Sequence, residues 1–182
     1  LRTQSRMETE AVDGVDINEV VKECLVLVGG RTKLFKVTHE EGDLPAVRCF
    51  RSRVGQVITN LAANAADALM EYREANPVNA EGRRFHGKIC IFTREIANAD
   101  VPGVAISVSD NGGGVPEAIR NQIFEEFFTT KPAGQGTGLG LALSIKIVQE
   151  HGGTLVVDED PELGGARFTL WLPRAGQQLA SP

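Results

Sequence analysis

The sequence lacks the features that mark several classes of protein. Its 182 residues hold no run of about 18 apolar residues, so no segment is predicted to span or contact a membrane. No secretory leader is recognisable. Lysine and arginine number 19 against 24 aspartates and glutamates, a net charge of −5, so nucleic acid is not expected as the main partner. Arg48, Arg51 and Arg53 come nearest to a basic cluster, which is more typical of a solvated helix start.

Cysteine is scarce, and its spacing indicates neither a metal site nor a disulfide framework. Cys24, Cys49 and Cys90 are odd in number, widely spaced and set among apolar neighbours, and no Cys-x-x-Cys pair occurs. Reduced, buried cysteines are typical of cytosolic proteins, so a cytoplasmic location is expected. Because the first residue is Leu1 rather than Met, we expect a fragment of a longer protein.

One domain with short ends is predicted. The chain is 42% hydrophobic and 24% charged, close to an ordinary globular composition and long enough for a real core. Residues 1–16 are polar and acidic without periodicity, and they are predicted to be an arm or linker. Residues 17–173 form the predicted domain, and 174–182 a tail. Neither repeats nor low-complexity segments occur.

Apolar periodicity predicts alternating strands and helices. Asp16 is the expected N-cap of the first helix, and Gly29 and Gly30 are expected to end it. Residues 77–87 are predicted to be a loop or insertion of unassigned role. Because strands come in pairs with helices between them, we expect a mixed sheet with helices on one face, a two-layer α/β sandwich. Helices are predicted at 17–27, 53–74, briefly after 116, and at 139–150. Strands are predicted at 33–38, 46–50, 88–95, 103–110, 154–158 and 166–172.

The predicted helix 53–74 carries two stripes at helical spacing. One stripe is apolar and predicted to face the core: Val54, Val57, Leu61, Ala65 and Ala68. The second is polar and borders it: Gln56, Asn60, Asn64 and Asp67. Asparagine is an indifferent helix former, so two of them in mid-helix suggest a ligand, and amide oxygens suit Mg²⁺. A solvated polar face is the alternative.

Asp110 ends the predicted strand 103–110 on its buried side. It shares the parity of Val104, Ile106 and Val108, which face the core. A buried carboxylate must accept hydrogen bonds, either from the backbone or from a ligand such as the exocyclic amine of adenine. The glycines at 112–114 allow a tight turn and a close approach to a flat ring. A simple turn that ends a strand is the alternative.

A glycine-rich stretch at 134–140 opens directly onto a buried helix. Glycines free the backbone to wrap phosphate oxygens, and a helix N-terminus offers N–H groups and a positive dipole end. The stretch lacks the Gly-Lys-Ser/Thr ending of a Walker loop, and no strand precedes it as in a Rossmann fingerprint. A flexible loop is the alternative.

In this order, these pieces resemble the ATP-binding catalytic domain of sensor histidine kinases, a family grouped with the Hsp90 and MutL ATPases. Residues 60–65 resemble its N box, 110–114 its G1 box, 123–131 its F box and 136–141 its G2 box. The resemblance covers about 17–173 and implies the Bergerat, or GHKL, ATP-binding fold.

The resemblance also implies roles, with ATP and Mg²⁺ as the cofactors. Asn64 would ligate Mg²⁺, Asn60 would be a second phosphate or metal contact, and Asp110 would bind the adenine amine. Residues 130–138 would form a lid, with Lys131 reaching the phosphates; Asn60, Asn64 and Lys131 are the expected catalytic residues. The expected nucleotide contacts are Asn60, Asn64, Asp67, Asp110, Gly112, Gly114, Phe128, Thr130, Lys131, Gly136, Thr137, Gly138, Leu139 and Gly140.

The sequence departs from the histidine kinase family at two positions and differs from the Hsp90-like ATPases at a third. Many members carry a lysine and then an aromatic where this chain has Asp67 and Ala68, so phosphate charge must be met elsewhere, with Lys131 as the candidate. Adenine would then pack on aliphatic side chains. Hsp90-like ATPases carry a water-activating glutamate where this chain has Asn60, so efficient hydrolysis is not expected.

None of the three histidines is expected to be the phosphoacceptor. His39 lies at the end of a predicted strand, His86 in a loop and His151 at a helix end. The resemblance therefore implies two partners: the dimerisation and phosphoacceptor domain of the same protein, and the receiver domain of a response regulator. It also implies that residues 1–16 are the linker from that missing dimerisation domain. A stand-alone GHKL ATPase or a serine-kinase anti-sigma factor is the alternative function, and a regulatory module that does not use ATP is a third.

Overall fold

The computed structural model describes residues 10–78, 82–130 and 138–176. Two single 3-10 turns, Glu117–Ile119 and Gln122–Phe124, lie between the fifth strand and the last helix. The strands are β1 (Val12–Val15), β2 (Lys36–Glu40), β3 (Val47–Cys49), β4 (Lys88–Glu95), β5 (Gly103–Asp110), β6 (Thr154–Glu159) and β7 (Ala166–Pro173). The helices are α1 (Ile17–Leu27), α2 (Gly29–Thr32), α3 (Arg51–Ala75) and α4 (Gly140–Glu150).

Five strands form a mixed sheet in the order β2-β4-β5-β7-β6. Only β2 and β4 are parallel neighbours within it; the other pairs are antiparallel. Helix α3 packs on β4 and β5, α4 packs on β6 and β7, and α1 lies against α3. One apolar core joins these helices to the sheet. The predicted α/β sandwich with a mixed sheet is confirmed.

The first helix begins and ends where the sequence predicts. The Asp16 carboxylate accepts hydrogen bonds from the N–H groups of Asn18 and Glu19, which are otherwise unpaired at a helix start. This helix ends at Leu27, just before Gly29 and Gly30, but the two glycines belong to a second short helix rather than to a loop. After a break at Val28 the chain forms α2, because the N–H groups of Arg31 and Thr32 bond to the Val28 carbonyl.

Part of the predicted linker is a strand. Val12 and Val15 of β1 pair antiparallel with Cys49 and Val47 of β3, and Val15 is buried. A strand of four residues is too short for its alternation to show among polar neighbours. Residues 1–9 lie outside the described residues, and the origin of 1–16 in a dimerisation domain remains a prediction.

Other boundaries differ from the predicted ones by a few residues. Strand β2 begins at Lys36 rather than at 33, because Phe35 is buried in a turn that bonds back to Thr32. In the predicted loop 77–87, Val78 and Arg84 form an isolated bridge; residues 79–81 lie outside the described part. Cys24 and Cys49 are buried and Cys90 is partly exposed, and all three are free thiols.

The basic cluster is paired with acidic side chains. Arg48, Arg51 and Arg53 form ion pairs with Asp13, Glu23 and Glu150, at 2.8, 2.7 and 2.6 Å respectively. These ion pairs neutralise the positive charge that the three arginines would otherwise offer to the phosphates of a nucleic acid. In the described part of the chain, no helix combines the length and the apolarity that a membrane crossing requires.

Candidate functional site

Asp110 lies at the end of the central strand β5 with only 3% of its surface exposed. Its Oδ1 accepts a hydrogen bond from the N–H of Gly112 at 2.8 Å. Burial raises the pKa of the Asp110 carboxyl, and hydrogen bonds from the N–H groups of Gly112 and Ala166 act in the opposite direction. The structure places this carboxylate on the core side, as the strand parity predicts.

The backbone approaches Asp110 closely because glycine stands at two positions around it. A Cβ at Gly112 would lie 3.0 Å from Asp110 Oδ1, and one at Gly165 would lie 2.5 Å from the same oxygen and 2.4 Å from the Asp110 carbonyl. Sequence reasoning missed Gly165. The only sequence signal for Gly165 was the Gly164-Gly165 pair before β7, and Gly165 lies 55 positions after Asp110 in the chain.

The loop after Asp110 lies beneath the C-terminal half of α3. A Cβ at Gly112 would contact Leu69 and the carbonyl of Ala68, and one at Gly113 would contact the Tyr72 ring at 3.3 Å. Gly114 has a φ of +71°, which favours glycine. Aliphatic residues and Tyr72 therefore border the loop where Ala68 replaces the expected aromatic.

Asn60 joins α3 to the start of α4. Its Nδ2 donates a hydrogen bond to Ser144 Oγ at 2.9 Å, and Ser144 is buried. A Cβ at Gly140, the first residue of α4, would lie 2.6 Å from Asn60 Oδ1. This close approach explains the glycine at that position. No side chain among the described residues caps the start of α4, so its first N–H groups are suited to an anionic ligand.

Asn64 and Asp67 continue the polar stripe of α3, and both are half-buried. Asn64 has no side-chain hydrogen bond within residues 10–78, 82–130 and 138–176. Asp67 accepts from Nη2 of Arg31 on α2, with 2.9 Å to one carboxylate oxygen and 3.1 Å to the other. Sequence reasoning missed Arg31, because nothing local to α2 indicates a partner on α3.

Phe127, three residues before the predicted lid, meets Gly138, the last residue of that lid, through the backbone. The N–H of Phe127 donates to the Gly138 carbonyl at 2.9 Å. Phe127 has a φ of +65° and Gly138 one of +62°, and a Cβ at Gly138 would lie 2.5 Å from the Phe127 carbonyl carbon. Phe128 packs partly buried against the core, while Thr130 and Leu139 are exposed. Three predicted contacts lie outside the described residues: Lys131, Gly136 and Thr137.

Helix α3 relates these groups to one another. Ala68 of this helix lies over the Asp110 loop, and Asn60 faces the start of α4. Asn60 precedes Ala68 by eight residues, which corresponds to about 12 Å along the helix axis. A buried carboxylate and a helix N-terminus therefore flank a strip of amide side chains, an arrangement long enough for a base at one end and phosphates at the other.

The three histidines lie at a helix end, in a strand and in a loop. His151 is buried, accepts from the N–H of Phe50 through Nε2 and contacts the Ile147 carbonyl through Nδ1 at 2.7 Å, which requires the Nδ1–H tautomer. His39 lies in β2, where burial lowers its pKa. His86 is exposed in the loop before β4, and its carbonyl accepts from Asn111. None of the three lies on a helix that could present it.

Comparison with known proteins identifies the family of this chain. A family profile described as histidine kinase-, DNA gyrase B-, and HSP90-like ATPase matches residues 50–176. The sensor histidine kinase ZraS of Escherichia coli O157:H7 is 36% identical over 166 residues, which cover 90% of this chain and 32% of that protein. The curated relatives that the chain matches are much longer, and it spans 18–32% of the length of three of them.

Solved structures agree with the sequence comparison. The nucleotide-free catalytic domain of histidine kinase ThkA superimposes with a TM-score of 0.72 at 29% identity, covering 91% of this chain and 97% of that one. ThkA in complex with the response regulator TrrA gives a TM-score of 0.64 at 27% identity, covering 91% of this chain and 42% of that one. The similarity thus includes the whole α/β unit.

Replacement of Gly165 by alanine tests the close approach to Asp110. The new methyl group would overlap the carbonyl oxygen and Oδ1 of Asp110, so we expect the free energy of unfolding in urea to fall by about 1–3 kcal/mol. Gly30→Ala is the matched control, because a Cβ there meets open space. Equal urea midpoints for the two variants would contradict this account of Gly165.

Proposed function

We propose that this chain binds Mg-ATP and presents the γ-phosphoryl group to a histidine on a separate domain. The chain belongs to the histidine kinase-, DNA gyrase B-, and HSP90-like ATPase family and corresponds to the ATP-binding catalytic domain of sensor histidine kinases. The observation that carries this proposal is the buried Asp110 carboxylate at the Ala68 end of the site. Ala68 lies about 12 Å along α3 from Asn60, whose amide bonds to Ser144 of α4.

The Asp110 end of the site suits adenine. A carboxylate fixed by backbone N–H groups still has lone pairs, and the exocyclic amine of adenine is a neutral donor that can use one. Guanine has a carbonyl at the corresponding ring position, which would face the carboxylate and be repelled. The glycines of the loop and the aliphatic residues of α3 offer flat, apolar contact to the ring.

The other end suits phosphates and a divalent cation. Asn64 has an amide oxygen without a hydrogen-bond partner among the described residues, and hard oxygen donors of this kind fit Mg²⁺. Asn60 and the first N–H groups of α4 would bind phosphate oxygens, which the absence of a side-chain cap among the described residues supports. Bound Mg²⁺ would neutralise charge on the phosphates. Catalysis by the chain itself would be mostly positioning and charge neutralisation. Lys131, Gly136 and Thr137 remain predicted contacts.

Hydrolysis by the chain alone is not expected to be efficient. Asn60 is an amide and cannot accept a proton from water, and its Nδ2 already donates to Ser144. Its replacement of the water-activating glutamate of Hsp90-like ATPases supports a transferase over a stand-alone ATPase, which is the second candidate. A serine-kinase anti-sigma factor would use the same site on a protein serine.

Transfer requires a second domain. None of the three histidines lies on a helix that could present it to a phosphoryl group, and the chain spans only a fraction of the length of its relatives. We therefore propose that a dimerisation domain of the same protein carries the acceptor, that a response regulator receives the phosphoryl group afterwards, and that both steps take place in the cytoplasm. The complex of ThkA with TrrA supports such a partner. The three free cysteines fit a reducing compartment.

A transfer assay tests the function. We expect the full-length protein, given γ-labelled ATP and Mg²⁺, to gain acid-labile, base-stable phosphate on one histidine outside this domain, while the isolated chain turns over little ATP. Robust steady-state hydrolysis by the isolated chain would contradict the histidine-kinase proposal. Acid-stable phosphate on a separate protein's serine would favour the anti-sigma alternative.

Asp110→Asn tests the adenine contact. An amide keeps one acceptor but turns an N–H₂ group towards the site, so we expect ATP affinity to fall about 10- to 100-fold with little change for GTP. Isothermal titration with both nucleotides measures this, with Asp43→Asn in an exposed loop as the control. Equal losses for ATP and GTP would argue against an adenine contact.

Asn64→Ala tests the metal ligand. Removing its amide oxygen should abolish most of the gain in ATP affinity that Mg²⁺ gives over EDTA, while metal-free binding stays nearly constant. Gln56→Ala is the matched control, because Gln56 is an exposed amide two turns earlier on α3. An undiminished Mg²⁺ effect in Asn64→Ala would exclude this residue as a ligand.

A further inference from the structure

We propose that Arg31 of α2, held by Asp67 of α3, is a phosphate-binding residue of this site. It would provide the positive charge that the departure at Asp67 removes. The inference rests on the proposed function, since it needs a nucleotide whose phosphates lie along the polar stripe of α3.

The position of Asp67 on α3 brings Arg31 to that stripe. At 100° per residue, Asp67 lies about 20° around the helix from Asn60 and about 60° from Asn64. Along the helix axis Asp67 lies about 4.5 Å from Asn64 and about 10.5 Å from Asn60, so the phosphates that Arg31 would bind are those nearest to Asn64. A carboxylate at this place, with only 26% of its side chain exposed, would repel a nearby triphosphate if nothing compensated for its charge.

The ion pair supplies that compensation and leaves donors over. Nη2 of Arg31 lies between both oxygens of Asp67, at 2.9 and 3.1 Å. A guanidinium has five N–H donors in a planar fork. Nε and Nη1 of Arg31 have no hydrogen bond to any residue within 10–78, 82–130 or 138–176, and 59% of the side chain is exposed. These donors are suited to phosphate oxygens.

Helix α2 fixes the base of the arginine. The N–H of Arg31 bonds to the Val28 carbonyl at 2.8 Å, and the neighbouring Thr32 is buried and bonds to the same carbonyl. Both ends of the Arg31 side chain are therefore restrained before a ligand arrives. Such preorganisation lowers the entropy lost when a phosphate is bound. An isolated exposed arginine would lose more side-chain freedom on binding.

The arrangement favours arginine over lysine. A lysine would satisfy Asp67 as a point charge, but it could not hold the carboxylate with one nitrogen and a phosphate with the others of a rigid fork. Arg31→Lys is therefore expected to keep the ion pair and lose most of the phosphate contribution.

The test compares nucleotides that differ in phosphate content. Titration calorimetry would measure ATP, ADP and adenosine binding to the wild-type chain, Arg31→Ala, Arg31→Lys and Arg48→Ala. Arg48 is the matched control: it is an exposed arginine paired with Asp13 at 2.8 Å. Its backbone bonds to Arg174, which in turn bonds to Pro102, at the opposite end of β5 from Asp110. Thermal melts would confirm that each variant is folded.

We expect Arg31→Ala to weaken ATP binding about 10- to 100-fold and to leave adenosine binding within about twofold. Arg48→Ala should match the wild type. The double variant Arg31→Asp, Asp67→Arg should regain much of the ATP affinity, because it returns a guanidinium to the α3 stripe.

Three results would overturn the inference: unchanged ATP affinity in Arg31→Ala, equal losses of ATP and adenosine, or equal effects of Arg31→Ala and Arg48→Ala. A wild-type chain that binds ATP with preference over GTP while Arg31→Ala behaves normally would reject the role of Arg31 and leave the proposed function standing. A wild-type chain that binds no ATP would reject both.

Discussion

The buried carboxylate of Asp110 is the constraint on which the rest of the site depends. A charge with 3% exposure at the end of the central strand is costly unless donors surround it. The chain meets this requirement with backbone N–H groups from two distant segments, one at Gly112 and one at Ala166. Both segments must come close, and this is why Gly165 cannot carry a side chain. The turn before β7 and the loop after β5 are thus shaped by one functional group.

Helix α3 connects that group to the second half of the site while also serving the core. Its buried face packs on β4 and β5, so its position relative to the sheet is fixed by apolar contacts. The polar stripe lies beside this face and inherits its rigidity. Asn60 is further restrained through Ser144, and Asp67 through Arg31. Asn60 and Asn64, two of the groups proposed to hold phosphate or metal, therefore stand on a packed helix rather than on a loop, which limits the rearrangement that a ligand must impose there.

Local patterns predicted the parts of this site that lie within one element. Strand parity placed Asp110 inside, and helical spacing aligned Asn60 with Asn64. The bounds of α1, β4 and β5 agree with the predicted ones for the same reason. Features that join distant segments left no periodic signal, and so Gly165 and Arg31 were missed. Strand β1 was missed because four residues are too few to show alternation, and its partner β3 lies more than 30 residues away.

The backbone pair between Phe127 and Gly138 has a consequence for sequence divergence. Because a backbone hydrogen bond joins Phe127 to Gly138, the two positions stay together whatever the number of residues between them. A change in length that keeps this bond and the packing of Phe128 is therefore expected to leave the sheet and Asp110 in place.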